Sequence, residues 1–414
     1  MTIRRQPSDF RVEEKPAPGF LESLRDRPGR DAPHAIYTLA KTSIATPDAA
    51  AFLARELGVR QGQVAYAGLK DKHAETRQHV SVPADARGLP DRVDGRGWSA
   101  ELLGFAGQAM TAGSIEGNRF VIVVRDLTRE RVRTMERRAA VLRCPDATDS
   151  LLLINYFGDQ RFGSARHGQG WVGRHLIRGE FEQALRLAVG TPSRKDAGKT
   201  KKITRACAAA WGHWDDLVAQ LPRCPERAAF ETLAAGGSFR DAFAALPYFT
   251  QAMSVEAYQS YLWNETARRL ARRIADEAPS AQTGGMERIR GPRLLRTDDP
   301  FGEMLFPVAA GVGDRWRTLV LPLLSRRTRL EDPWGDAVSA VLSGEGLALD
   351  DLRIPGLRRP FFGEAPRPLF VEAAAFEMSP AVADELTGGR HRVTVSFDLP
   401  RGAYATVVLR ALGE

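Results

Sequence analysis

The stretch Tyr66–Val82, "YAGLKDKHAETRQHVSV", crowds Lys70, Asp71, Lys72, His73, Glu75 and Arg77 into one short loop between two apolar runs. Upstream, Val64–Ala67 reads as a strand. Downstream, His79–Val82 alternates apolar and polar positions as a half-buried strand does. The loop therefore joins strand to strand, with Asp71 flanked by two lysines at the turn. A mixed-charge turn of this kind is most often simply solvated, and composition alone gives no stronger reading.

Working outward, "AIYTL" (Ala35–Leu39) reads as a strand. Thr46 is expected to cap a helix with Pro47 at its first position, Asp48 in its first turn and Gly58 at its end. "NRFVIVVRDL" (Asn118–Leu127) is nearly continuous in Val and Ile, which suits a strand buried on both faces. Thr128 can cap the helix that follows. Beyond about Leu153 the texture changes: helical patterns dominate 170–275, and Pro- and Gly-rich connections break up 277–368. At the end, "HRVTVSFDL" reads as a strand and "AYATVVLRALG" as a short helix. The expected architecture is a strand-rich core over 1–152 and 369–414, split by a largely helical insertion over 153–368.

The chain has 414 residues, 43% hydrophobic and 27% charged, as expected of a folded globular protein. Lysine and arginine number 59 against 51 acidic residues, a net charge of +8 that favours a polyanionic partner. The three cysteines, Cys144, Cys207 and Cys224, form no CxxC pair, which argues against a disulfide framework and a zinc site. No apolar run has the length of a membrane span, and "MTIRRQPSDF" has no apolar signal core, so a cytoplasmic location is expected. "GKT" (Gly198–Thr200) resembles the end of a P-loop. The required earlier glycine is Ser193, however, and a helix precedes it rather than a strand. "KDAGKTKKITR" (Lys195–Arg205) reads instead as a basic loop able to touch phosphates. His73, Glu75 and His79 match neither helical nor same-face strand spacing for metal ligands, so no metal is expected.

The loop "AGLKDKHAETRQ" (Ala67–Gln78) resembles the signature of the TruD family of pseudouridine synthases, roughly A-G-x-K-D-[KR]-x-A-x-T-x-Q. Ala67, Gly68, Lys70, Asp71, Lys72, Ala74, Thr76 and Gln78 all match. Further resemblances follow in the family's order: "SDFRVEE" (Ser8–Glu14), "GNRF" (Gly117–Phe120), "NYFGDQRFG" (Asn155–Gly163), "AYQSYLWN" (Ala257–Asn264) and "PRGAYATVVLR" (Pro400–Arg410). Asp159 stands where many members carry Glu, a departure that bears on packing more than on chemistry.

The resemblance implies an α+β fold: a mixed, largely antiparallel sheet core with an inserted, mostly helical TRUD domain, the two forming a basic cleft. It implies isomerisation of uridine to pseudouridine in RNA, at uridine 13 of tRNA, with no cofactor and no metal, by a cytoplasmic protein expected to be a monomer. Asp71 is then the catalytic carboxylate. Arg4, just ahead of the D-F element, is a candidate cation for it. Lys70, Phe10, Asn118, Phe120 and Tyr404 are the remaining candidates for holding the substrate nucleotide. Two rivals stay open. One is a non-catalytic RNA-binding relative, and the other a glycoside-cleaving enzyme, which would typically need a pair of carboxylates and a water.

Overall fold

The structure is a computed structural model that describes residues 2–413 apart from 86–88, 194–195, 197 and 279–292. By contact density the chain divides into two compact units, one of residues 1–153 and 371–414, the other of 154–370.

The first unit is built on a sheet that has eleven strands among the described residues. In chain order these are β1 (Phe10–Pro16), β2 (His34–Thr42), β3 (Ala65–Tyr66), β4 (Glu75–Pro83), β5 (Arg92–Gly95), β6 (Trp98–Ala106), β7 (Ile115–Leu127), β8 (Leu151–Ile154), β9 (Phe370–Met378), β10 (Val382–Ala383) and β11 (His391–Pro400). Their spatial order is β5-β6-β2-β4-β1-β7-β11-β9-β8, with β3 beside β4 and β10 beside β11. β1 and β4 run parallel, while β1–β7, β2–β4, β2–β6, β7–β11 and β9–β11 are antiparallel. The sheet is thus mixed and largely antiparallel. Strands from both ends of the sequence meet at β7 and β11.

Helix α1 (Thr46–Glu56) follows β2, and its Ala49, Ala50, Leu53 and Ala54 close a core over Ala35, Tyr37, Leu39, Val80 and Val82. Pro47 sits in its first turn, and Gly58 takes the left-handed conformation (φ 66°) just past its end, as the sequence predicts. The cap position, however, is Ala45. The Thr46 hydroxyl bonds away from the helix, to Gln78 and to the backbone of Lys70. Helix α2 (Arg129–Leu142) is capped by the Thr128 side chain, which accepts from the Arg131 amide, and α3 (Ala405–Leu412) closes the chain.

In β7 the expectation of two buried faces holds only from Ile122 to Arg125; Asn118 to Val121 are half-buried. The apolar run thus carries a covered half and an uncovered half.

The second unit is mostly helical between 172 and 277 and ends in the 30-residue helix Tyr248–Glu277. Two two-stranded sheets and the helix Gly335–Glu345 follow. The segment read as a basic loop is mainly helical: Gly198–Ala210 forms a helix, and Lys199 Nζ donates to the Arg223 carbonyl. Helix-forming Lys, Ala and Arg dominate it, and its apolar Ile203, Cys207 and Ala210 recur at helical spacing and are buried.

Candidate active site

The signature loop is held from three sides. Gln78 Nε2 donates to the Gly68 carbonyl, while its Oε1 accepts from the Thr46 hydroxyl (2.9 Å). That same hydroxyl accepts from the Lys70 amide (3.0 Å), and Lys41 Nζ donates to the Asp71 carbonyl (3.0 Å). Ala74 of the loop is fully buried. The Asp71 carboxylate is thereby fixed in place. Its Oδ1 accepts from the His73 amide (3.0 Å), and its Oδ2 lies 2.7 Å from Arg4 Nη2.

Arg4 reaches Asp71 because the segment before β1 is tied down. Asp9 Oδ2 accepts from the amides of Arg5 and Gln6, and its Oδ1 accepts from Arg125 Nε at 2.8 Å. The amide of Thr2 donates to the Arg125 carbonyl, pinning the segment to β7. Asp9, Arg125 and Asp384 form a buried charged cluster, and each charge there has a partner of opposite sign, as buried charges require. The Arg4 guanidinium lies over the Phe10 ring (4.3 Å), Phe10 meets Phe120 edge-on (6.2 Å), and Phe120 stacks on Phe397 (5.6 Å).

Register places the remaining candidates. Residues opposite one another in a sheet point to the same face. Lys41 is opposite Thr76, Thr76 opposite Val12, Val12 opposite Phe120, and Phe120 opposite Phe397. One step along, Glu14 is opposite Asn118, and Asn118 opposite Leu399. The Asp71 loop lies over this face, since Lys70 reaches Glu14 and Lys41 reaches Asp71 from it. Asn118 and Phe120 therefore share the face that Asp71 overlies. Tyr404 follows the turn after Pro400, which pairs with Gly117, so the chain brings it to the Asn118 end of β7; it is half-buried.

Two candidates do other work than expected. Lys70 turns inward, its ammonium 2.7 Å from Glu14 Oε1 with its side chain 6% exposed, so it cannot meet a phosphate. Phe10 is 3% exposed and its face is taken by Arg4, so it supports the site without offering a surface to a base. Phe120 remains partly exposed.

Two residues at the site were not singled out from the sequence. Glu14 is fully buried. Burial works against its charge, but hydrogen bonds from His79 and the Lys70 ammonium outweigh it and hold the carboxyl below its usual range. Lys41 is 1% exposed, and burial is the main reason its ammonium pKa falls to about 8; Asp71 opposes the fall and Lys70 adds to it. The alternation of β2 could have flagged Lys41, because it occupies the apolar face shared by Leu39, Tyr37 and Ala35.

Buried polar atoms normally find partners. At this site Arg4 Nε, Thr76 Oγ1 and Asn118 Oδ1 have none among the described residues. A reachable carboxylate paired with a guanidinium, beside unused donors and acceptors and over an aromatic floor, is suited to a polar ring-bearing substrate. No group of three metal-ligating side chains occurs among the described residues.

Comparison with known proteins gives the same class. Residues 1–412 match the family described as tRNA pseudouridine synthase D (TruD). The tRNA pseudouridine synthase D of Aquifex aeolicus is 28% identical, over 98% of this chain and 98% of its own length. The probable tRNA pseudouridine synthase D of Halobacterium salinarum is 31% identical over 99% of this chain and 92% of its own. The crystal structure of the putative tRNA pseudouridine synthase D from Methanosarcina mazei superposes with a TM-score of 0.68 at 24% identity, covering 99% of this chain and 92% of that one. The chain belongs to the TruD family of pseudouridine synthases.

Proposed function

We propose that the protein isomerises uridine to pseudouridine in tRNA, with Asp71 as the catalytic carboxylate. The observation that carries this is the 2.7 Å pair of Asp71 with Arg4, in which the Asp71 side chain remains 18% exposed. In the reaction the C1′–N1 bond breaks with its electron pair going to uracil, the ring turns, and C5 bonds to C1′. The C5 proton is lost and N1 gains one, so nothing is oxidised or transferred and no cofactor is called for. Asp71 either attacks C1′ or removes the C2′ proton. Both routes use the carboxylate as an anion, and the Arg4 guanidinium, 2.7 Å away, holds it in position.

The target base must leave its stack and enter a pocket. Phe120 offers it a ring, Asn118 Oδ1 an acceptor, and Tyr404 a second aromatic wall. Uridine 13 is the position that the motif resemblance implies. In the same reading the second unit is the TRUD domain, and the protein works as a cytoplasmic monomer. No described helix is long and apolar enough to cross a membrane.

The test is incubation with an unmodified tRNA transcript, followed by base-by-base mapping of pseudouridine and assay of free uracil. Pseudouridine at position 13 without uracil release supports the proposal. Free uracil would indicate glycoside cleavage, and binding without either product would indicate a non-catalytic RNA-binding protein.

A further inference from the structure

In the second unit, strands Val320–Leu323 and Ala365–Pro368 pair antiparallel, with Leu323 opposite Ala365. The segments 324–329 and 352–364 therefore leave the same end of this small sheet. The buried Gln259 of the long helix clamps both, donating through Nε2 to the carbonyls of Leu324 (2.7 Å) and Gly363 (2.6 Å). Between the segments lies a cavity of about 760 Å³, lined by Arg326, Arg327, Arg353 and Arg358 over a floor that includes the buried Leu352 and Phe362.

The charge here is one-sided. Arg326, Arg327, Arg353 and Arg358, with the neighbouring Arg329 and Arg359, are all exposed. Among the described residues none of the six has a carboxylate partner for its side chain, whereas Arg367 on the adjoining strand is bonded to Asn155. Glu364, the one acidic residue of the lining, is held by the hydroxyls of Thr328 and Ser325. Beside them Phe361 is 60% exposed. A Cβ at Gly363 would come within 3.2 Å of the Phe361 ring, so Gly363 leaves the ring room where it stands.

Guanidinium groups without counter-charges, on a frame fixed from below, form a site for an anion with several charges. An outward aromatic ring among them suits a partner that alternates phosphates with planar bases. We infer that this cavity is a second RNA-binding site, in which the arginines take backbone phosphates of the substrate tRNA and Phe361 stacks on an unpaired base other than the target uridine. The inference rests on the reading of tRNA as substrate, and it assigns the second unit a binding role separate from the chemistry.

The experiment uses the full chain carrying Arg326→Gln, Arg327→Gln and Arg358→Gln together, and separately Phe361→Ala. All four side chains are exposed, so both variants should fold, and melting curves check this. Binding of an unmodified tRNA transcript is measured across a salt series, and kcat and KM are measured for pseudouridine formation. Losing three phosphate contacts lowers the slope of log affinity against log salt by about two to three. KM rises while kcat stays at the wild-type value. Phe361→Ala weakens binding roughly five- to hundredfold with the salt slope unchanged. An unchanged tRNA affinity and slope in the triple variant overturns the inference. Binding is read independently of turnover, so a wild-type protein that binds tRNA but forms no pseudouridine defeats the catalytic proposal and leaves the cavity to be judged on its own slopes.

Discussion

Two regions of the chain are equally dense in family motif residues and differ in how their polar groups are used. In "NYFGDQRFG", polar groups are satisfied from within the second unit. Arg367 donates to the Asn155 carbonyl (2.9 Å) and side chain (2.7 Å) and lies 3.9 Å over the Phe157 ring. The Tyr156 hydroxyl donates to the Leu305 carbonyl and accepts from its amide. The Asn264 side chain pairs with both the amide and the carbonyl of Phe157. Around Asp71, by contrast, Arg4, Thr76 and Asn118 each keep a buried polar atom without a partner among the described residues. The first region behaves as a joint that organises the long helix against its neighbours. The second keeps buried donors and acceptors that the protein's own described groups do not use. A dense motif does not by itself separate the two; the satisfaction of its polar groups does.

That contrast can be broken by substitution. Arg4→Met removes the cation that pairs with and orients the Asp71 carboxylate, and should lower kcat/KM roughly 10²- to 10³-fold, the scale for losing one preorganised electrostatic partner. The melting temperature should hardly move. An Arg4→Met enzyme within threefold of wild type would assign the pair to structure.

Asn264→Leu should do the opposite. It strips the Phe157 amide and carbonyl of their partner, and unsatisfied buried groups cost ~1–3 kcal/mol each. A loss of roughly 2–4 kcal/mol in urea unfolding is expected, with kcat of the folded enzyme retained. Lost turnover at unchanged stability would place this motif in the chemistry.

The smallest effect concerns Lys41. Its folded pKa of about 8 lies below the 10.5 of an ordinary lysine, so the unfolded chain holds this proton over a pH range where the native one has lost it. Stability therefore rises with pH between about 8 and 10.5, and burying the charge carries its full cost below pH 8. The groups around the ammonium are Asp71 and Lys70 from the loop, with Thr76 opposite on β4 and Trp98 opposite on β6. Lys41→Met should be more stable than wild type at pH 7 by about 1–2 kcal/mol, allowing for the lost bond to the Asp71 carbonyl. The gain should vanish by pH 10, and turnover should fall less than tenfold. Parallel stability–pH curves for the two proteins would show that Lys41 does not titrate in this way.

Legibility followed the range of each contact. The signature loop, the cap of α2 and the end of α1 were readable because their determinants lie within a few residues. Arg4 could be named as a partner for Asp71 from its place ahead of the D-F element. The pairing of Lys70 with Glu14, 56 positions away, and of Lys41 with the Asp71 carbonyl, 30 away, depends on the register of β1, β2 and β4. No local pattern encodes the parallel pairing of β1 with β4, so those contacts could not be read. Thr46 does not cap α1, because its hydroxyl goes to Gln78 in a strand distant in sequence. The basic-loop reading of Lys195–Arg205 fails over 198–205, because the apolar spacing that makes this stretch helical extends past it to Cys207 and Ala210.

The most direct test of the account is Asp71→Asn, which keeps the size of the side chain and removes its charge. Pseudouridine formation in a tRNA transcript would be measured under single-turnover conditions beside a tRNA-binding isotherm and a melting curve. The account predicts a fall of roughly 10⁴-fold or more in rate, the scale for removing a group that reacts directly, with binding and folding retained. A rate within tenfold of wild type would contradict it.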